Sequence, residues 1–186
     1  MSSPTPLTVR DATPADAAAC AAIYAPYVRA TAVSFEEEAP GEAELARRIA
    51  AAQERHAWLV AEERTGEGPR VLAYAYAGPF SGRAAYRWSC EASVYAELGR
   101  RRTGAGRLLY GALFERLERR GYRAVFAGVA EPNEASAGLH RATGFEPVGT
   151  YRRVGFKHGA WHDVTWWQRR LGEDREEPGR APAEPR

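Results

Sequence analysis

Between Trp88 and Tyr95 the side chains alternate. In an extended chain Trp88, Cys90, Ala92 and Val94 point one way, and Ser89, Glu91, Ser93 and Tyr95 the other. The pattern predicts a strand with one apolar face and one face of functional groups. From Ala105 the period changes to that of a helix, with Ala105, Leu109, Leu113 and Leu117 at i, i+4 spacing and Leu108 and Ala112 beside them. Gly121, behind Arg119 and Arg120, supplies the helix stop. Residues 124–130 form a short continuous apolar run, as in a strand buried on both faces. A strand, a helix and a second strand in this order predict parallel neighbours in one sheet.

The flanking chain predicts the remaining elements. Thr13, Pro14 and Asp16 mark a helix entry, followed by an apolar stripe of Ala17, Ala21, Tyr24 and Val28 that Pro26 should kink or end. Residues 31–38 are a connection containing Phe35, and a second helix after Gly41 carries Leu45, Ile49 and Ala52 on one face. Strands over 57–63 and 71–77 make a hairpin, and a polar loop over 78–85 leads through Arg83 to Tyr86. After Asn133 comes a short helix with Ser136, Leu139 and His140, stopped at Gly144; strands over 148–156 and 161–169 close the chain as a hairpin. This order predicts an α/β or α+β layer fold with a mixed central sheet flanked by helices. The expected organisation is one domain over 7–171 and a disordered tail over 172–186, rich in Glu, Arg and Pro.

Composition narrows the function. A chain of 186 residues with 45% hydrophobic content can build one good core. A net charge of +2 is too small to argue for nucleic acid, no apolar run reaches the roughly 20 residues of a membrane span, and the start lacks a signal peptide's pattern. Cys20 and Cys90 lie far apart and in no metal-like spacing. A soluble cytoplasmic protein is expected. His158 and His162 have H-x3-H spacing without further ligands, so a place at a hairpin tip is expected, and no metal. Lys157 is the only lysine.

The candidate chemistry sits where the alternating strand runs into the helix. Arg101, Arg102, Thr103, Gly104, Ala105 and Gly106, with Arg107 behind, put arginines and glycines at a helix start, whose unpaired N–H groups and partial positive charge suit a pyrophosphate. Lys-Ser/Thr after the last glycine, which a P-loop needs, is absent, and Leu109 stands where a dinucleotide fold has its third glycine. R-x-x-G-x-G remains, and it resembles the coenzyme A pyrophosphate loop of the GNAT superfamily of N-acetyltransferases. A solvated helix start is the alternative on motif grounds alone.

Over about 9–171 the chain resembles the phosphinothricin acetyltransferase family within that superfamily. The resemblance rests on Ala75-Tyr-Ala-Gly-Pro79, Ala85-Tyr86-Arg-Trp88, Glu91-Ala-Ser-Val-Tyr95, the Arg101 to Gly106 loop, Pro132-Asn133, Leu139-His140, Gly144-Phe145, and Gly155-Phe-Lys-His-Gly-Ala-Trp-His-Asp-Val164. It implies a GNAT-like, mostly antiparallel sheet with a splayed parallel pair at the cofactor. It also implies acetyl transfer from acetyl-CoA to the α-amine of a small glutamate-like amino acid bearing a phosphinate, sulfoximine or sulfone. The aromatic strands near the C-terminus could pair in a homodimer.

By the same resemblance Glu91 is the catalytic carboxylate, and His140 holds the position where many relatives place a thiolate acid. Val94, Tyr95 and Ala96 would meet the cofactor's carbonyl and pantetheine, the 101–107 loop its pyrophosphate, and Asn133 the pantetheine arm. Arg83 and Tyr86 match the family's substrate loop; Phe35, Tyr95 and Trp166 could line the pocket. Each has a plainer alternative: Glu91 a surface charge, Phe35 a core plug, His140 a structural histidine, Asn133 a helix cap. The chain departs from the pattern at Ser81, where close relatives carry Lys, and so offers one cation fewer to an anionic side chain. Two rival functions are a non-catalytic acetyl-CoA-binding module and an Arg-rich nucleic-acid binder using residues 100–102.

Overall fold

The computed structural model describes residues 7–100, 103–172 and 183–186. Seven strands form one sheet: β1 (Leu7–Asp11), β2 (Ala57–Thr65), β3 (Gly68–Pro79), β4 (Ser89–Ala96), β5 (Ala124–Ala130), β6 (Glu146–Lys157) and β7 (Ala160–Arg170). Their order across the sheet is β1-β2-β3-β4-β5-β7-β6, and every neighbouring pair is antiparallel except β4 and β5. Four α-helices flank it: α1 (Ala17–Ala30), α2 (Glu42–Arg55), α3 (Ala105–Arg120) and α4 (Glu134–Ala142).

The two faces of the sheet differ in residue size. Ala57, Ala61, Ala73, Ala75, Ala77 and Ala92 line one face, and their small side chains admit the buried stripe of α3, Leu109, Leu113 and Leu117. The alternate positions carry Trp58, Val60 and Tyr74, which pack with Cys20, Ile23 and Tyr24 of α1 and Leu45 and Ile49 of α2. Strand period and side-chain size together therefore assign each helix pair to its face.

The alternation over β4 holds: Cys90 and Ala92 enter the core under α3, whereas Tyr95 packs on the α1 side. Gly121 ends α3 at φ 99°, and β5 lies parallel to β4. Three features differ from the pattern. Pro26 does not end α1, which runs four residues further to Ala30. β1 is a strand in its own right, paired to β2, although its five residues show no clear alternation. β7 inserts between β5 and β6, a non-local pairing that hairpin reasoning does not reach. Of the expected tail, 173–182 lie outside the described residues; in the short terminal piece Ala183 O accepts from Trp88 Nε1 at 3.0 Å and Glu184 pairs with Arg87 at 2.6 Å.

Candidate active site

The one parallel pair is also the one that parts. β4 and β5 share three rungs, Ser89 with Ala124, Cys90 with Val125 and Glu91 with Phe126. Beyond these β4 continues along β3 to Ala96 and β5 along β7 to Ala130. The β4 edge over 92–96, which includes Val94, Tyr95 and Ala96, thus has no ladder partner on its β5 side. Unpaired backbone groups at such an edge can bond the amides of an inserted chain, as a further strand would.

α3 begins beneath this gap. Arg101 and Arg102 lie outside the described residues. Ala105 N–H donates to Thr103 Oγ1 at 3.3 Å, and the first helical bond is Leu108 N–H to Gly104 O at 3.1 Å. Gly104 holds φ 80° and has open space where a Cβ would stand, so a ligand can approach the backbone there. Gly106 serves differently. A Cβ on it would come within 2.9 Å of Leu139 Cδ2, so its lack of a side chain lets α3 approach α4. Arg107 is exposed and has no ion pair among the described residues.

Glu91 occupies the last rung before the strands part. It has no hydrogen bond or ion pair among the described residues, and burial alone pushes its pKa above the ordinary carboxylate value. A carboxylate raised in this way is suited to accept a proton, whereas a solvated surface charge is not. On the same face Phe126 stacks near Phe80 at 4.4 Å between ring centroids, and Phe80 meets Tyr86 at 5.6 Å and Trp166 at 6.2 Å. Tyr86 and Trp166 are therefore joined to the Glu91 rung through two phenylalanines that sequence reasoning missed. Phe80 looked like a loop residue and Phe126 was hidden in an apolar run.

Tyr95 packs edge-on to Tyr24 and Tyr27, at 4.7 and 5.2 Å, and helps wall the same face. Phe35 is 40% exposed, so it is not a core plug; its ring covers Gly155 and lies 6.1 Å from His162. Arg83 is exposed on the loop before β4 and has no ion pair among the described residues.

His140 lies on the other side of the sheet, in the core under α3, where it is 3% exposed. Its Nδ1 bonds Ser136 O at 2.7 Å, which makes Nε2 the acceptor for Tyr110 O–H at 3.1 Å. Burial lowers its pKa, so the ring is neutral. Tyr110 is itself fully buried, in the core on the α3 side of the sheet, and burial raises its pKa. The leucine stripe of α3 concealed that residue. Asn133 caps α4, its Oδ1 accepting from Ser136 N–H at 3.1 Å. His158, at φ 51°, sits in the β6–β7 turn, and His162 Nε2 meets Lys157 O at 3.1 Å. Among the described residues no group of three His, Cys, Asp or Glu could hold a metal.

A strand pair that parts, a helix start with an open backbone approach and a desolvated carboxylate at the fork are the arrangement an acyltransferase with a phosphate-bearing cosubstrate needs. Residues 9–166 match the acetyltransferase (GNAT) domain family, to which this chain belongs, and it is an acetyl-CoA-dependent N-acetyltransferase. It is 41% identical over 164 residues to a phosphinothricin N-acetyltransferase of Streptomyces viridochromogenes, covering 88% of this chain and 87% of that one. It is 37% identical over 178 residues to an L-methionine sulfoximine/L-methionine sulfone acetyltransferase of Pseudomonas aeruginosa, covering 92% and 98%. The crystal structure of a phosphinothricin acetyltransferase from Sinorhizobium meliloti in complex with acetyl-CoA superposes with a TM-score of 0.85 at 36% identity, covering 96% of this chain and 94% of that one.

Glu91→Gln is expected to lower kcat by about 10²- to 10⁴-fold while leaving acetyl-CoA affinity intact. Because the folded pKa is raised, the basic form, and with it kcat, grows in over a pH range above the ordinary value of 4.5. Rate measurements against pH should show that ascending limb in the wild type and not in the variant. Gly104→Val places a β-branched residue at positive φ and fills the open approach, so calorimetric titration with coenzyme A should show weakened binding, with the acceptor KM less affected.

Proposed function

We propose that the protein acetylates the α-amine of phosphinothricin, demethylphosphinothricin or a close glutamate analogue, and so detoxifies an antibiotic or herbicide of that kind. The observation that carries this reading is Glu91 at the fork, half-buried, desolvated and without a hydrogen-bond or ion-pair partner among the described residues, on the sheet face that Phe80 and Tyr86 of the Arg83 loop reach. Glu91 takes the ammonium proton, directly or through a water. The freed amine attacks the thioester carbonyl, the N–C bond forms, and the C–S bond breaks. Backbone N–H groups along 94–96 stabilise the oxyanion. The thiolate leaves and takes up a proton, for which the hydrogen-bonded Tyr110–His140 pair is the proposed source. Arg83, with Tyr86, holds the acceptor's acidic groups.

Methionine sulfoximine or sulfone is the second reading. Ser81 leaves the loop with Arg83 and no second cation two residues earlier, which favours a less charged side chain, and the Pseudomonas aeruginosa relative acts on such compounds by name. The nucleic-acid reading loses support because Arg100 is engaged by Glu63 at 2.6 and 3.0 Å. A module without chemistry would have no use for a half-buried carboxylate left unpaired among the described residues. Both cysteines are buried free thiols, which supports a cytoplasmic setting.

We also infer a homodimer through the last hairpin, where Val148, Tyr151, Val154, Phe156 and Trp161 are all more than half exposed. So many large apolar side chains on one pair of strands suit an interface. Trp161→Glu should convert a dimer to a monomer in sedimentation velocity.

Turnover of acetyl-CoA against phosphinothricin, methionine sulfoximine, methionine sulfone and ordinary amino acids tests the substrate. In that panel Arg83→Ala should raise the KM of the preferred acceptor by about 10- to 150-fold with little change in coenzyme A affinity, as expected for loss of a charge-assisted bond. An unaltered KM for every acceptor would make Arg83 a solvated loop residue.

A further inference from the structure

The chain's only lysine is buried, at 8% exposure, and among the described residues no carboxylate oxygen is bonded to it. Its three N–H donors all go to backbone carbonyls: Val28 O at 2.7 Å, Ser34 O at 2.6 Å and Glu36 O at 2.8 Å. An ammonium has three donors and no acceptor, so Lys157 is saturated. Val28 lies in the last turn of α1, where carbonyls are unpaired and the helix end is negative. Desolvation lowers the lysine pKa, offset in part by Glu36 and Glu37.

Ser34 and Glu36 flank Phe35, so one ammonium grips the backbone on both sides of that residue. The ring's seat comes from the same hairpin: it covers Gly155, two residues before Lys157 on β6, and faces His162, whose Nε2 bonds Lys157 O. The segment is held from the other side by Tyr24 O–H, which lies 2.6 Å from Ser34 Oγ and 3.0 Å from Glu36 Oε1, and by Arg48, paired to the Glu36 carboxylate at 2.7 and 3.1 Å. His162, Val164 and Trp166 alternate onto one face of β7, the face that Glu91 shares through Phe126 and Phe80. A half-exposed aromatic ring is thus fixed over the acceptor side of the sheet by a clamp of buried polar groups, where core packing alone would leave it free to move.

We propose that Lys157 is a positioning residue for acceptor specificity: by clamping residues 34–36 to the β6–β7 hairpin it sets Phe35 as a rigid wall of the acceptor pocket. The inference rests on the reading that the acceptor occupies the Glu91 face. Lys157 itself touches neither substrate. Removing the clamp changes where the wall stands and leaves the fork, Glu91 and the α3 start as they are.

The test is steady-state kinetics of the full chain with the best acceptor of the panel above. Lys157→Met keeps the stem and removes the donors; it should raise the acceptor KM by about tenfold or more, the scale of a lost apolar pocket contact, with kcat and coenzyme A affinity within about twofold. Phe35→Ala should do the same. The double variant should be no worse than either single one, because both act through one ring. Gly155→Ala, which drives a methyl into the Phe35 ring and leaves Lys157 untouched, should also raise KM, and it decides the matter if Lys157→Met does not fold. An unshifted acceptor KM in Lys157→Met or in Gly155→Ala, additive effects in the double variant, or an equal loss of coenzyme A affinity would overturn the inference while the wild type still turns over. A wild type idle on every acceptor would remove the reading beneath it, and the inference with it.

Discussion

Everything at the site depends on the early parting of β4 from β5. A sheet interior normally pairs every backbone N–H and C=O, and an unpaired buried group costs about 1–3 kcal/mol. Here the pairing stops after three rungs because each strand follows its other neighbour, β4 keeping seven positions with β3 and β5 seven with β7. The donors and acceptors left over suit a chain that carries amides of its own, as the pantetheine arm of acetyl-CoA does, which is the use proposed for them. The same fork places Glu91 at its apex, deep enough to be desolvated and still open to a ligand entering the gap.

The two faces then divide the labour. Under the alanine-rich face, α3 and α4 approach closely, helped by Gly106, and the α3 start is open at Gly104. On the aromatic face, which Glu91 shares, Tyr95 packs on Tyr24, Trp166 on Phe80, and Phe35 over Gly155. Tyr110, in the core beneath α3, is held by a histidine whose other nitrogen is tied to Ser136.

Much of this was legible before the fold was known. The period-two run over β4, the leucine stripe of α3, the Gly121 stop and the apolar β5 are local signals that tertiary packing respects, and they place Glu91 on a strand beside a helix start. What was not legible is non-local. Nothing in the sequence says that β7 slips between β5 and β6, so the meeting of Trp166 with Phe80 could not be foreseen. His140 shows the same limit from another side: its motif position says that it matters, and only the packing shows that it faces Tyr110 across the sheet from Glu91. Lys157 stood out only as the solitary lysine and as one residue of the 155–164 motif, neither of which says what it does, because a buried ammonium held by carbonyls is defined by three backbone positions more than a hundred residues away.

That solitary lysine has a chemical consequence. A thioester is an electrophile that acylates neutral side-chain amines without any catalyst's help, and a protein that binds one is bathed in it whenever it works. Arginine, which supplies the rest of this chain's basic residues, stays protonated and does not compete for the acyl group. The one ε-amine in the chain is walled off from solvent, with each proton spoken for. The catalyst therefore offers its own reagent no lysine to modify, and its surface charge is durable against the chemistry it performs.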